Sequence, residues 1–518
     1  MPHRLRHILT VLSAPSTLKD VSDSAPTQPV SKNVMTAETG DQNTQTVPSA
    51  AVIELYTATK PYWLDRWLDI AVEASGSQPV FMLILVALLT WAFLGIRFGQ
   101  DTDWQVIISD VQAIIGYVFD SLLMRQQLNA YKQHLKISAR LISRARGTKR
   151  MLRELGKDVR CKKITPRESG DVQQTTTFPS ELPSESFVGR VSTLASNIAG
   201  HIVTCTLFWL CILIWIGFGS YCHWSVNWQL YINSGTSGLM VLIFAFLANI
   251  RERHEKYAKE CLGRLDKVDG SLELKLREMT GNLLPNEIIT VPSIKLRGIQ
   301  RGIFYYANVV GTLTGIALLI IVMIVWVCIG PAMRFDSNWW LIIGTYAGLI
   351  GMQDGFVLRN IQMRFDEHVI STFGDVELED VDIYENTPDL PLPKDDYEQQ
   401  DVSLSCRISL GIGRICSHEW AVILGLLTIV GLLTGSTVME WSTTGQLLCN
   451  IPPSIIESFL MMILITGHNI ADQRRRVNFH NMYVRRLKLV WYVERLSEGG
   501  MEQKEVAANV SQDTATVT

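Results

Sequence analysis

Apolar residues in this chain come in long unbroken blocks, and the blocks come in pairs. Ala74 to Ile96 lacks Asp, Glu, Lys and Arg and turns through Arg97, Asp101 and Asp103 into Trp104–Met124. Val191 to Ile250 carries no formal charge and is broken at Gly217–Asn227 by Gly, Ser, His and Asn, which divides it into Ile198–Tyr221 and Trp228–Ile250. Gly302–Met333 pairs with Trp339–Leu358, and Trp420–Val438 pairs with Gly445 to Ile470. Because about 20 apolar residues make a spanning helix, the pattern predicts about eight transmembrane helices in four helical hairpins. The fold class is an all-α polytopic membrane protein.

The polar stretches set the remaining boundaries. Residues 1–51, rich in Ser, Thr, Gln, Asn and Pro, predict a disordered cytosolic tail. Residues 52–73, with Tyr62, Trp63, Trp67 and Ile70 among Asp65, Arg66 and Asp69, predict an amphipathic interfacial helix. The hairpins occupy 74–128, 191–258, 301–364 and 406–473, joined by cytosolic linkers at 129–190, 259–300 and 365–405, the last read as a solvated acidic spacer. Residues 474–518 predict a basic amphipathic segment lying on the membrane, followed by a disordered tail.

Each second helix opens on a similar phrase: Asp103-Trp104-Gln105, Asn227-Trp228-Gln229, Asn338-Trp339-Trp340 and, more weakly, Thr444-Gly445-Gln446. Asn249-Ile250, Asn360-Ile361 and Asn469-Ile470 close three of them, 21, 21 and 24 residues after Trp228, Trp339 and Gly445. A generic apolar helix would not repeat both ends. Hairpins return to one side, so four copies can surround an axis along the membrane normal, leaving a central path. Basic residues cluster after the even spans (Arg125, Lys132, Arg251, Arg253, Arg359, Arg474), whereas the turns hold only Arg97 and Arg334. This places both termini in the cytosol.

Composition adds little beyond this: 47% hydrophobic residues, a formal net charge of -3 and a mean hydropathy of +0.16 suit a membrane protein. Nine cysteines without a Cys-x-x-Cys spacing suggest neither a disulfide framework nor a zinc site. No Walker motif, dinucleotide fingerprint or His-Glu-x-x-His occurs, so the chain reads as neither an enzyme nor an ATP-driven pump, with no cofactor and no nucleic-acid partner.

Chemistry concentrates in the even spans. Asp110, Asp120, Asp354, Glu457 and His468 lie there, whereas the odd spans hold His201 alone near an end. An aspartate inside a span costs about 2.5–3.5 kcal/mol and faces a protein interior or an aqueous path. Asp110, Tyr117 and Met124 recur every seven residues on one face, and Asp110 and Asp120 are about 15 Å apart along the helix, making two stations and not one site. Asp120 and Asp354 share an Asp-x4-Arg spacing with Arg125 and Arg359. Either they face each other across the axis as a divalent-cation site, or each pairs with an arginine or a helix end. Glu457 lies near mid-span beyond Pro452 and Pro453, which should break or bend the helix. His468 and Asp472 follow on its face, a donor set suited to Fe(II), Zn(II), Mn(II) or Cu(II). His468 also has a structural reading as a hydrogen-bonded histidine, as do His201, Cys205 and Cys449. Met124, Met323, Met352, Met461 and Met462 read as packing residues before soft-metal ligands.

Residues 103–128, 336–359, 441–448 and 467–477, together with phrases such as SLLMRQQL, resemble the fungal low-affinity iron(II) permeases over about residues 65–495, the middle linkers excepted. The resemblance implies plasma-membrane uptake of ferrous iron, with zinc, copper and manganese as further substrates. It places Asp110, Gln112, Tyr117, Asp120, Met124, Arg125, Asp354, Glu457, His468, Asn469 and Asp472 at matching positions, but not His201 or His223. Expected partners are a divalent metal ion as substrate, membrane lipid, and in one arrangement further copies of the chain as a homo-oligomer. The competing classes are an ion channel for a non-transition-metal ion and a non-transporting membrane scaffold.

Overall fold

The computed structural model describes residues 19–28, 63–160, 182, 187–296, 298–387, 390–393 and 404–515. One order of elements runs through it four times: a short helix, an apolar helix, a tight turn and a long helix. The short helices are α1 (Trp63–Ser75), α4 (Phe187–Ala199), α7 (Ile299–Val310) and α10 (Leu404–Cys416). The apolar helices are α2 (Gln78–Phe98), α5 (Ile202–Phe218), α8 (Leu313–Ile329) and α11 (Glu419–Val438). The long helices are α3 (Thr102–Arg160), α6 (Val226–Thr280), α9 (Ser337–Glu385) and, after the single turn α12 (Thr443–Leu448), α13 (Ile451–Ala515). Two strands, β1 (Val21–Asp23) and β2 (Ile289–Val291), pair antiparallel.

Among the described residues, six helices are long and apolar enough to cross a membrane. The pairs α4/α5 and α7/α8, bent by 50° and 65°, bring the number to eight if each pair is one span. The expected straight span Gly302–Met333 is therefore two helices, broken where Gly311 caps α7 and Thr312 opens α8. The long helices bury most of their apolar windows and α2 buries none of its residues. In water such exposed apolar surface would be prohibitive, whereas lipid accommodates it.

The repeated tryptophans have a structural reason. Trp91/Trp104, Trp215/Trp228 and Trp326/Trp339 stack with ring centroids 4.5, 3.9 and 4.3 Å apart, clamping each apolar helix to its long helix. Indole N–H groups donate across the hairpin, as from Trp339 to the Trp326 carbonyl at 2.8 Å and back at 3.0 Å. Three of the turns hold a pair of residues at positive φ, His223-Trp224, Arg334-Phe335 and Glu440-Trp441. This conformation is rare for side-chain-bearing residues and is held here by a backbone bond five residues back, as from Phe335 N to Gly330 O at 3.0 Å.

The long helices form a closed ring in the order α3, α6, α13, α9, and the diagonal pairs barely touch. The repeated asparagines bind the bend of a neighbouring unit. Asn249 donates to Gly76 O (3.0 Å) and Asn360 to Ser417 O, while Asn469 accepts from Ser196 and donates to Asn197.

Beyond the apolar windows the long helices continue into a polar bundle, which corrects several expectations. The linkers at 129–190, 259–300 and 365–405 begin as extensions of α3, α6 and α9, whose Leu135, Leu272, Phe373, Val376 and Tyr384 are buried together. The segment 478–496 does not lie on a membrane surface: Leu487, Leu489, Val490, Val493 and Leu496 join that core. Its Arg486 is buried between Asp269 and Asp380, and Arg485 pairs with Glu377. Helical periodicity creates such apolar stripes in a surface helix and in a bundle alike, so only packing separates the two. Residues 19–28 are also an exception to the disorder expected over 1–51. β1 pairs with β2, Ala25 is buried, and Asp23 pairs with Arg140. The remainder of 1–51, along with 52–62, 161–181, 394–403 and 516–518, lies outside the described residues.

Candidate functional site: a carboxylate group on the axis of the helix ring

Counted from Trp104, Trp228, Trp339 and Gly445, the positions 2, 5, 9, 12 and 16 residues on are buried in all four long helices. Spacings of three and four keep one face of a helix turned to the same side. The resulting layers span about 21 Å of rise. The first, Val106, Leu230, Leu341 and Leu447, forms an apolar cluster together with Ile212, Ile451 and Ile455 that fills the turn end of the ring. The second is Ser109, Asn233, Gly344 and Asn450. Asn450 donates to Ser109 Oγ at 3.1 Å, bridging the diagonal, while both amide atoms of Asn233 lack partners. The third, Ala113, Ser237, Gly348 and Ser454, is small throughout. Gly116, Met240, Gly351 and Glu457 follow, and then Asp120, Phe244, Gly355 and Met461.

Glu457 enters because the fourth long helix is broken at Cys449–Asn450. Pro452 and Pro453 sit in the first turn of α13, where a missing backbone donor costs nothing. The break thus falls immediately before the prolines, which is the interruption expected there. Glycines on α9 make room for α13: a Cβ at Gly344 would meet the Asn450 amide, and one at Gly351 would come within 2.5–2.6 Å of the Glu457 carboxylate oxygens.

Asp120, Asp354 and Glu457 come together from three helices, near enough that Asp120 experiences the charges of the other two and Glu457 that of Asp354. All are at most 1% exposed. Neither Asp120 nor Glu457 has a hydrogen-bond partner for either oxygen, whereas Asp354 Oδ1 accepts from the Tyr306 hydroxyl at 2.7 Å. Their spacing partners are engaged elsewhere: Arg125 pairs with Asp65 and Asp69 of α1, and Arg359 bonds Gly413 O and Gln362. Neither aspartate therefore pairs with the arginine five residues on from it. Three carboxylates cannot all be ionised in so apolar a place without a cation or protons among them.

The structure separates the remaining candidates. Tyr117 lies beside this group, its ring 6.2 Å from that of Tyr346. Asp110 is buried with both oxygens unpartnered, and Gln112 is buried near Gly116. Met124 is fully buried in the apolar core. His468 does not join Glu457: its Nε2 lies 3.0 Å from His254 Nδ1. Asp472 is held by Arg475 and Arg476, and Asn469 by α4. His201 caps α5. Sequence reading missed Tyr306, Tyr346, Asn233, Asn450 and His254. The three-four spacing from Trp228 and Gly445 would have shown Asn233 and Asn450, whereas nothing local marks Tyr306.

At the bundle end the ring opens into a cavity of about 460 Å3 lined by all four long helices and α1, including Arg251, Glu252, Asp366, His468 and Arg475. Among the described residues, no group of three or more His, Cys, Asp or Glu side chains is placed to hold a metal ion. The ring is filled by apolar side chains at its turn end, carries unpartnered buried carboxylates midway and opens into this cavity at its bundle end.

A sequence model of the family described as low affinity iron permease matches residues 188–268 and 406–510. Over 494 residues the chain is 34% identical to the low-affinity iron/zinc ion transport protein fet4 of Schizosaccharomyces pombe, covering 93% of this chain and 84% of that protein. Over 469 residues it is 33% identical to a low-affinity Fe(2+) transport protein of Saccharomyces cerevisiae, covering 85% of each. No solved structure matches the chain.

Proposed function

The chain belongs to the low-affinity iron permease family, and from that premise we propose that it carries ferrous iron into the cell across the plasma membrane, with zinc, copper and manganese as competing substrates. It is a transporter and not an enzyme. The four units act as copies around one axis, with both termini and the polar bundle in the cytosol, in keeping with the basic residues that follow each even span. The observation that carries the reading is the buried group Asp120, Asp354 and Glu457, which has four unpartnered oxygens among apolar helices. Oxygen ligands and negative charge suit a divalent cation.

The inside-negative potential draws a dication inward by about 4.6 kcal/mol per 100 mV. The ion passes the apolar plug when that opens, meets Asp110, rests between Asp120, Asp354 and Glu457, and leaves through the vestibule. Loose coordination fits a low-affinity carrier, since an ion held too tightly would not leave. Because the carboxylates must be compensated by metal or protons, uptake is expected to depend on external pH.

The test is radioactive ferrous iron uptake in cells lacking their own iron uptake systems, with competing zinc, manganese and copper at two external pH values. Saturable uptake that Glu457→Gln and Asp120→Asn each reduce at least about tenfold at equal surface abundance supports the reading. Uptake unchanged in both variants would overturn the site. No uptake from the unaltered chain at the cell surface would favour a scaffold or a channel for another ion.

A further inference from the structure

Asp354 differs from the other buried acids of the path. Asp110, Asp120 and Glu457 leave both oxygens unpartnered, while Asp354 Oδ1 accepts from the Tyr306 hydroxyl at 2.7 Å. Tyr306 belongs to α7, a short helix outside the ring that packs against α3 and α9. A second polar tie fixes the register of α7. Gln300 Nε2 donates to Asn360 Oδ1 at 2.8 Å, six residues back on α7 and six residues on along α9. Beyond Tyr306 the chain bends by 65° into α8. The phenol is thus aimed at the carboxylate by a helix anchored independently of it.

We propose that Tyr306 is a positioning residue that keeps the ion site weak, because its hydroxyl occupies a lone pair of Asp354 that an arriving divalent cation must take. A cation held jointly by Asp120, Asp354 and Glu457 turns the Asp354 carboxylate toward the axis and away from α7. The ion therefore binds against the loss of a phenol–carboxylate hydrogen bond. Bonds to charged groups are among the stronger ones. On the exit side the returning hydroxyl displaces the ion, so the same bond that weakens binding speeds release. This inference rests on the permease reading and adds to it a determinant of affinity.

The test is equilibrium binding of Mn(II) to the purified full chain in detergent micelles, beside iron uptake in cells. Tyr306→Phe keeps the ring and removes the donor, and is expected to bind Mn(II) about tenfold tighter, within roughly three- to a hundredfold. Its uptake KM and its maximal rate both fall. Structural damage alone would weaken binding, so tighter binding with slower turnover separates the two causes. Tyr306→Leu also lacks the hydroxyl and must shift binding in the same direction; it serves if the Phe variant fails to fold. Gln300→Leu loosens the helix that aims the phenol without touching Asp354, and is expected to tighten Mn(II) binding in the same direction by a smaller factor than Tyr306→Phe. Equal or weaker binding in the variants lacking the hydroxyl would overturn the role of Tyr306. Absence of iron uptake by the unaltered chain would instead reject the permease reading, with the Mn(II) comparison still deciding on Tyr306.

Discussion

Gly351 is where a single methyl group should separate folding from function. An alanine Cβ there would lie 2.5 and 2.6 Å from the two Glu457 oxygens. An ordinary carbon–oxygen contact is roughly 3.3 Å, so the carboxylate must retreat by about 0.7 Å. Because the obstacle is the far end of a flexible side chain, the backbone has no need to move. Replacing glycine by alanine inside a helix also favours folding by about 1 kcal/mol. Gly351→Ala should therefore reach the surface at normal abundance and melt at or slightly above the temperature of the unaltered protein. Ligand misplacements of this size cost one to two orders of magnitude where geometry matters, so iron uptake should fall about tenfold or more. Gly235→Ala is the matched control, since its Cβ meets nothing within 4 Å and the same helical gain comes without the displacement. Uptake assays on both variants, normalised to surface protein, decide the matter. If Gly351→Ala transports with unchanged KM and maximal rate, Glu457 is not an ion ligand in the position described.

Two further outcomes are expected. Leu447→Ala removes a fully buried side chain from the apolar plug, a change that typically costs about 2–5 kcal/mol. Charged against the plugged state, even 2 kcal/mol shifts the balance toward opening about thirtyfold. Buried Cys449 should then react with a membrane-impermeant maleimide applied outside, read by mass spectrometry at that residue, and unchanged labelling would disprove the gate. In the bundle, burial and the neighbouring Arg475 push the His134 imidazole down to about 3, so the folded protein holds it neutral while the unfolded chain takes up a proton near pH 6.5. Its contribution is therefore complete above pH 6.5 and is lost as pH falls, amounting to about 2 kcal/mol at pH 5. His134→Gln should lose less stability than the unaltered protein between pH 7 and 5, measured by thermal unfolding; equal losses would refute the assignment.

How much of this was legible in the sequence varies by residue. Asp120, Asp354 and Glu457 stand out because a charge in an apolar run is a local anomaly; Asp120 and Glu457 hold axial positions, with Asp354 next to one and bonded to Tyr306. His468 and Asp472 stood out for the same reason, yet Asp472 is held by two arginines and His468 faces His254, a residue of a different helix. Tyr306 is unremarkable in sequence, since its significance is the carboxylate 48 residues away that it bonds. The basic segment 478–496 misled because an amphipathic stripe is compatible with lipid or with protein as its apolar neighbour.

The chain alone determined what depends on near neighbours: the apolar spans, the hairpin turns, the tryptophan clamps thirteen residues apart and the helix break beside Pro452. These follow from hydrophobic length and backbone chemistry, which act over a few residues. The tertiary structure alone decided the cyclic order of the ring, in which the second unit neighbours the fourth and the third returns to the first. It also decided the burial of Arg486 between two aspartates, the docking of residues 19–28, and the engagement of Asp354 by Tyr306. Periodicity specifies which face of a helix is buried, but the partner of that face is selected by the packing of the whole.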